Sequence, residues 1–311
     1  MIKLLNEQFV PFAGNTSEYQ LTYGAEGEAA KWYTAMAATT GYKVQGETTQ
    51  GMYIAGADGT AYAWKNTPGV SDTIRFMQKG LSDFKAKPPQ KVEISEPPPQ
   101  KFAPRATTSV LSVTSRVRPV PPDADGRNFN IGRDYLWMYQ AEIKEMLAVT
   151  PETLRIPNSF IARLCRYNFV DLIRGEPDIW NENDVRKADF KTTRSGSKDG
   201  VQSFSFTGAF KINTDWMMLG LEGQIEGEFS VDEASAKIVR FRAYAKCEGW
   251  GAPKFGYRGV PKGRFPLVFA IVEDNSPLAH DVAPSAITRH QEYLNPKLKI
   301  FAQAAEKQPA K

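Results

Sequence analysis

Three successive stretches between residues 204 and 245 place apolar side chains at every second position. They are Phe204, Phe206, Phe210 and Ile212, then Leu219, Leu221, Ile225 and Phe229, then Val239, Phe241, Ala243 and Ala245. A period of two is the signature of extended strands with one buried face, so this part of the chain predicts consecutive antiparallel strands in a meander. Glu222, Gln224, Glu226 and Glu228 occupy the opposite phase, which predicts a solvated outer face, and Asp232-Glu233-Ala234-Ser235 separates two of the runs as a turn would. The segment Arg264 to Val272 is more continuously apolar and predicts a further, more fully buried strand. Gly220, Gly223 and Gly227 lie in an alternating stretch with no helix start after them, so they are strand glycines and not a phosphate loop.

Two helices are expected ahead of the meander. One runs from Tyr135 to about Leu147 behind an Asp134 cap; the other starts at an Asn158 or Ser159 cap and runs to Ile173, with Gly175 as its stop. Prolines crowd residues 86 to 127, including Pro88-Pro89, Pro97-Pro98-Pro99 and Pro121-Pro122. That composition favours extended linker backbone, interrupted by the β-branched run Thr107 to Val117, of which Ser109 to Val117 could add an edge strand to either neighbour. Nearer the N-terminus, Phe9 to Phe12 is short and extended, and Glu26 to Met36 has helical spacing. Gly51 to Ala55 and Thr60 to Trp64 flank the turn-rich Gly56-Ala57-Asp58-Gly59 as a hairpin. A helix capped by Ser71 or Asp72, with Val70 just outside it, carries the apolar stripe Ile74, Met77, Leu81 and Phe84.

Leu4-Leu5-Asn6-Glu7-Gln8-Phe9-Val10-Pro11 resembles the segment of thioredoxin-like proteins that closes the first helix and enters the next strand, and Gly51 to Trp64 resembles their terminal hairpin. Over residues 1 to 86 the chain is similar to the thioredoxin-like half of uncharacterised bacterial two-domain proteins, in which such a segment precedes a β-rich domain. Two departures stand out. The CxxC pair of active members would fall before Met1, and Thr48-Thr49-Gln50-Gly51 stands where the family's cis-proline usually lies. The resemblance therefore implies a redox-inactive, degenerate or incomplete thioredoxin-like fold, or else an oxidoreductase whose redox motif lies upstream of Met1.

The expected architecture is α+β in four parts. A thioredoxin-like domain over 1–86 is followed by a proline-rich linker with one strand over 87–127, a helix-packed antiparallel β-meander domain over 128–275, and a helical or frayed tail over 276–311. A chain of 311 residues supports about two ordinary domains. Its 41% hydrophobic and 24% charged residues are those of a folding chain. A formal net charge of +4 is too small to indicate a dedicated nucleic-acid binder. No stretch reaches the roughly 18 uninterrupted apolar residues that a membrane span requires, and with no signal region evident the cytoplasm is the favoured compartment.

The chemistry-bearing residues are sparse. Cys165 and Cys247 are the only cysteines, and each falls in phase with apolar neighbours, which predicts buried, inert thiols. His280 and His290 are the only histidines and lack metal-ligand spacing, so no metal and no cofactor is expected. Arg174 to Trp180, with Glu182 and Asp184, is expected to be an exposed acidic and aromatic turn rather than a carboxylate pair for acid–base work. The stretch 250–264 offers the one ligand-binding candidate, with Trp250, Lys254, Tyr257, Arg258, Lys262 and Arg264 interleaved with glycines. Such a loop could cradle a small anion between backbone N–H groups and guanidinium forks. The sequence-based expectation is thus a noncatalytic binding or scaffolding protein with a protein partner, the alternatives being the oxidoreductase above and a small-anion module at 250–264.

Overall fold

The three period-two stretches become three consecutive long strands of one sheet. The computed structural model describes residues 1–11, 36, 38, 51–66, 69–91, 107–117, 131–148, 156–176, 179–215, 218–251, 255–256, 263–274 and 289–301. The chain divides into two units, Met1–Pro98 and Pro99–Lys311.

In the first unit, α1 (Ile2–Gln8) ends in extended backbone at Phe9. Strands β1 (Met52–Ala55) and β2 (Ala61–Lys65) form the expected antiparallel hairpin. Its turn is held by Asp58, whose carboxylate accepts hydrogen bonds from the Thr60 N–H (3.0 Å), the Thr60 hydroxyl (2.9 Å) and the Gln90 N–H (2.9 Å). Those bonds, the one from Gln90 foremost, hold the carboxyl below the usual aspartate range. Helix α2 (Val70–Ala86) lies on the hairpin, buries Met77 and approaches closely at Gly80, where a Cβ would sit 2.5 Å from Ile54 Cδ1. Neither Ser71 nor Asp72 caps it. Gly69 is the cap and Val70 is already helical, while Asp72 is drawn to Lys65 and Arg75 instead. Of the helix expected over 26–36, only Met36, helical and buried, lies within the described residues.

The second unit is mixed helix and strand around a seven-stranded antiparallel sheet. Its strands are β3 (Thr108–Val117), β4 (Gly132–Tyr139), β6 (Val185–Lys198), β7 (Val201–Asn213), β8 (Gly220–Asp232), β9 (Lys237–Trp250) and β11 (Phe265–Glu273), in the order β4-β3-β11-β9-β8-β7-β6. The β6–β7 hairpin turns on Asp199 (φ 53°) and Gly200 (φ 76°), two consecutive positive-φ residues whose twist matches that of the flanking strands. The inner face carries Phe204, Phe206, Phe229 and Phe241, with Phe229 4.9 Å from Phe204 and 5.7 Å from Phe241 between ring centroids. A helical layer covers it, made of α3 (Gln140–Ala148) and α4 (Asn158–Arg163), the latter continued by a π turn (Leu164–Asn168).

Several expectations are corrected here. Residues 132–139 are strand β4, not the start of a helix, because eight residues from Thr108 to Ser115 pair with them. Apolar side chains on both faces, Leu136 and Met138 on one and Tyr135, Trp137 and Tyr139 on the other, hide the period of two. Strand β3 is interior, paired with β4 and β11, rather than an edge. Helix α4 and its π turn stop at Asn168 instead of Ile173, since Phe169 leaves helical geometry; neither Asn158 nor Ser159 caps α4, and Gly175 belongs to the two-residue strand β5 (Gly175–Glu176). Strand β11 alternates, with Pro266, Ala270 and Val272 exposed, so it is half-buried. Val239 is 47% exposed because a bulge pairs Ser230 with Arg240 and Val231 with Ile238, skipping it and throwing it out of phase. The tail is anchored within 289–301: α5 (His290–Leu294) inserts Tyr293, 1% exposed, between Trp137 and Tyr167.

The outer edge of β4 is closed by side chains. Asn168 Nδ2 donates to the Tyr135 carbonyl (2.9 Å), Arg163 Nε to the Trp137 carbonyl (3.0 Å), the Trp137 N–H to the Tyr293 hydroxyl (2.9 Å), and the Tyr139 N–H to Glu142 (2.8 Å). Arg163 and Asn168 stand five residues apart, which on an α-helix would put them about 140° apart around the axis. The wider π turn brings both towards the same strand edge.

Candidate binding surface

The 250–264 loop is rooted firmly at both ends. Trp250 ends β9 in a buried position, and the Arg264 guanidinium sits 4.7 Å from its ring centroid. Arg264 also donates to Glu248 and, at 3.3 Å, to Glu222, and Lys211 lies 3.2 Å from Glu222. The two carboxylates, Glu248 first, push the Arg264 pKa up, so this cation already has its anions. At Gly251 (φ 81°) a Cβ would stand 2.0 Å from the Met218 carbonyl oxygen, so only glycine suits the turn. Lys254, Tyr257, Arg258 and Lys262 lie outside the described residues.

This loop and the acidic, aromatic stretch after Ile173 are neighbours. Strand β10 (Phe255–Gly256) pairs with β5, and Arg174 Nη1 donates to the Gly251 carbonyl at 2.7 Å while its guanidinium lies 3.5 Å over the Phe265 ring. The expected exposed turn is instead partly core. Arg174 is 1% exposed, Trp180 is 5% exposed with its indole N–H donating to the Phe169 carbonyl (2.8 Å), and Asp184 is buried and accepts from the Asn181 N–H (2.8 Å).

Both cysteines are free and buried, as their phase predicts. Burial drives each thiol well above the range in which a thiolate forms near neutral pH. Cys247 is further shielded by the neighbouring strand, whose Gly223 leaves room for it. A chromogenic disulfide reagent added to the native protein is therefore expected to titrate neither thiol, and to titrate both only after denaturant is added. Fast release of one equivalent from folded protein would show a thiol that is accessible after all.

No group of three or more metal-ligating side chains is found among the described residues. His280 lies outside them, and of His290 only the backbone is described. No described helix is long and apolar enough to cross a membrane.

The outer face of β6 to β9 holds a solvent-open depression of about 440 Å³. Pairing sets its side chains in two cross-strand rows: Lys191, Thr207, Glu226 and Tyr244 in one, Asp189, Ala209, Gln224 and Lys246 in the next. Tyr244 is 43% exposed, and Lys246 Nζ lies 5.4 Å from its ring centroid. Two ammonium groups and two carboxylates share this ground, so it exerts no strong net field on a lone small anion. It offers instead donors, acceptors and one aromatic edge spread across strands about 4.8 Å apart. A second polar depression, of about 690 Å³, includes Arg166, Asn183, Arg289 and Lys297; Arg166 there is held by Glu292 (2.7 Å) and the Trp180 carbonyl (3.0 Å).

The outer-face cluster is only half visible in the sequence. The glutamate row announces an outer face, and Tyr244 and Lys246 lie in the phase opposite to Ala243, Ala245 and Cys247. Lys191 and Asp189 could be joined to them only through the strand register, which no local pattern reports. No family model matches this chain, and neither characterised proteins nor solved structures contain a detectable relative.

Proposed function

We propose that this protein is a noncatalytic binding or scaffolding protein that engages a protein partner through the outer face of its sheet. The observation that carries the reading is the depression around Tyr244, where balanced charges and hydrogen-bonding groups ring a half-exposed aromatic. Protein surfaces meet through such mixtures, an aromatic anchor within a polar rim. The buried thiols favour it as well, because disulfide exchange requires an accessible thiolate. For residues 1–86 the proposal keeps a redox-inactive thioredoxin-like unit, supported by the hairpin followed by α2. A small anion at 250–264 would have to take Arg264 from Glu222 and Glu248, which argues against that loop as the primary site.

The test is affinity purification of the full-length protein from its own source cells, followed by native mass spectrometry. The expected result is a stoichiometric protein partner that is lost in the Tyr244→Ala, Lys246→Ala double variant while the variant stays folded. A co-purifying small anion in place of a protein, retention of the partner by the variant, or turnover of a disulfide substrate above a Cys165→Ser, Cys247→Ser control would each overturn it.

A further inference from the structure

The two edges of the sheet are treated differently. Along β4 the outward backbone groups of Tyr135, Trp137 and Tyr139 are taken by Asn168, Arg163, Tyr293 and Glu142. Along β6, the run from Lys187 to Arg194 pairs with β7 without interruption and, among the described residues, makes no backbone hydrogen bond on its other side. Bulges at Val185/Lys187 and Arg194/Gly196 bracket this run, leaving eight regular residues, about 27 Å of open strand edge at ~3.4 Å per residue.

Its side chains say what could add there. Strand β6 contains five cations and a single carboxylate, Asp189, so this one strand carries as much excess positive charge as the whole chain's formal +4. Arg186 is paired with Asp215 at 2.6 Å; Lys187 and Lys191 are exposed. Alternation puts Lys187, Asp189 and Lys191 on the outer face, two ammonium groups flanking one carboxylate, and Ala188 and the core-packed Phe190 on the inner one.

We infer that the β6 edge is a docking site for an extended segment of a partner protein in which acidic and apolar residues alternate. The acidic side chains would lie beside Lys187 and Lys191, the apolar ones beside Ala188 and Phe190, and the backbone would complete the ladder. This rests on the binding-protein reading and uses the strand edge beside the Tyr244 depression, with which it shares Lys191.

The experiment uses the full chain and an acetylated, amidated alternating Glu-Val octapeptide. Expected are saturable binding and slowed hydrogen exchange at alternate amides of Lys187 to Arg194. The Lys187→Glu, Lys191→Glu variant should bind this peptide about tenfold more weakly and prefer a Lys-Val octapeptide. Equal binding of a Glu-Val peptide N-methylated at alternate residues would reduce the effect to charge attraction and overturn the inference, as would protection elsewhere. Concentration-dependent dimerisation protecting the same amides would assign the edge to a second copy and overturn it too. Because the Tyr244→Ala, Lys246→Ala variant should still bind the peptide, failure of the edge and failure of the outer-face reading give separate results.

Discussion

Replacing Arg163 by methionine is expected to destabilise the protein by about 3–5 kcal/mol, the cost typical of breaking a buried ion pair from one side. Arg163 is fully buried and donates to both carboxylate oxygens of Glu142, a residue only 7% exposed. Its guanidinium stacks 4.6 Å from the Tyr139 ring centroid, and its Nε satisfies the Trp137 carbonyl. Methionine would fill part of the volume but leave a buried carboxylate facing no cation and a carbonyl without its donor. Urea unfolding of the full-length protein gives the loss directly. The Arg163→Met, Glu142→Gln double variant should recover a good part of it, because the stranded charge is then gone. A loss under about 1 kcal/mol in the single variant would mean that water reaches the pair and that the β4 edge is not sealed by it.

How far these features can be read in the sequence follows from their range. The meander is legible because each of its strands has one wet and one dry face: Phe204 to Ile212 and Glu222 to Glu228 repeat with period two whatever lies beside them. Strand β4 is illegible for the opposite reason. Leu136 and Met138 face the main core while Trp137 and Tyr139 face the small aromatic cluster around Tyr293, so no polar phase survives to mark the period. Charge misleads in the same way. Arg163, Arg166 and Arg174 look like the solvated side of a helix and its following loop, yet each is buried against a carboxylate or carbonyl, two of those partners lying more than 70 residues away. The 250–264 loop shows its cations plainly, but Arg264 is claimed by Glu222 on a strand that only the register brings alongside. Sequence spacing reports local period; it does not report which distant side chain completes a pair.

Phe169→Ala is the second large effect, expected to cost about 3–5 kcal/mol as a buried phenylalanine truncated where its neighbours cannot collapse. Phe169 is fully buried at the exit of the π turn. Its ring stacks on Phe210 of β7 at 4.1 Å between centroids and meets Phe269 of β11 at 5.1 Å, so one side chain ties the helical layer to two strands that are not neighbours in the sheet. Its backbone bonds, the N–H to Leu164 and the carbonyl from the Trp180 indole, survive the substitution, which confines the loss to packing. Phe169→Leu keeps most of the volume and should cost under about 1.5 kcal/mol. Urea midpoints with an unchanged m-value check both figures, and benzene should raise the midpoint of the alanine variant alone by filling the apolar cavity left behind. Equal losses for leucine and alanine would show that the aromatic stack, and not the filled volume, holds the helical layer on the sheet.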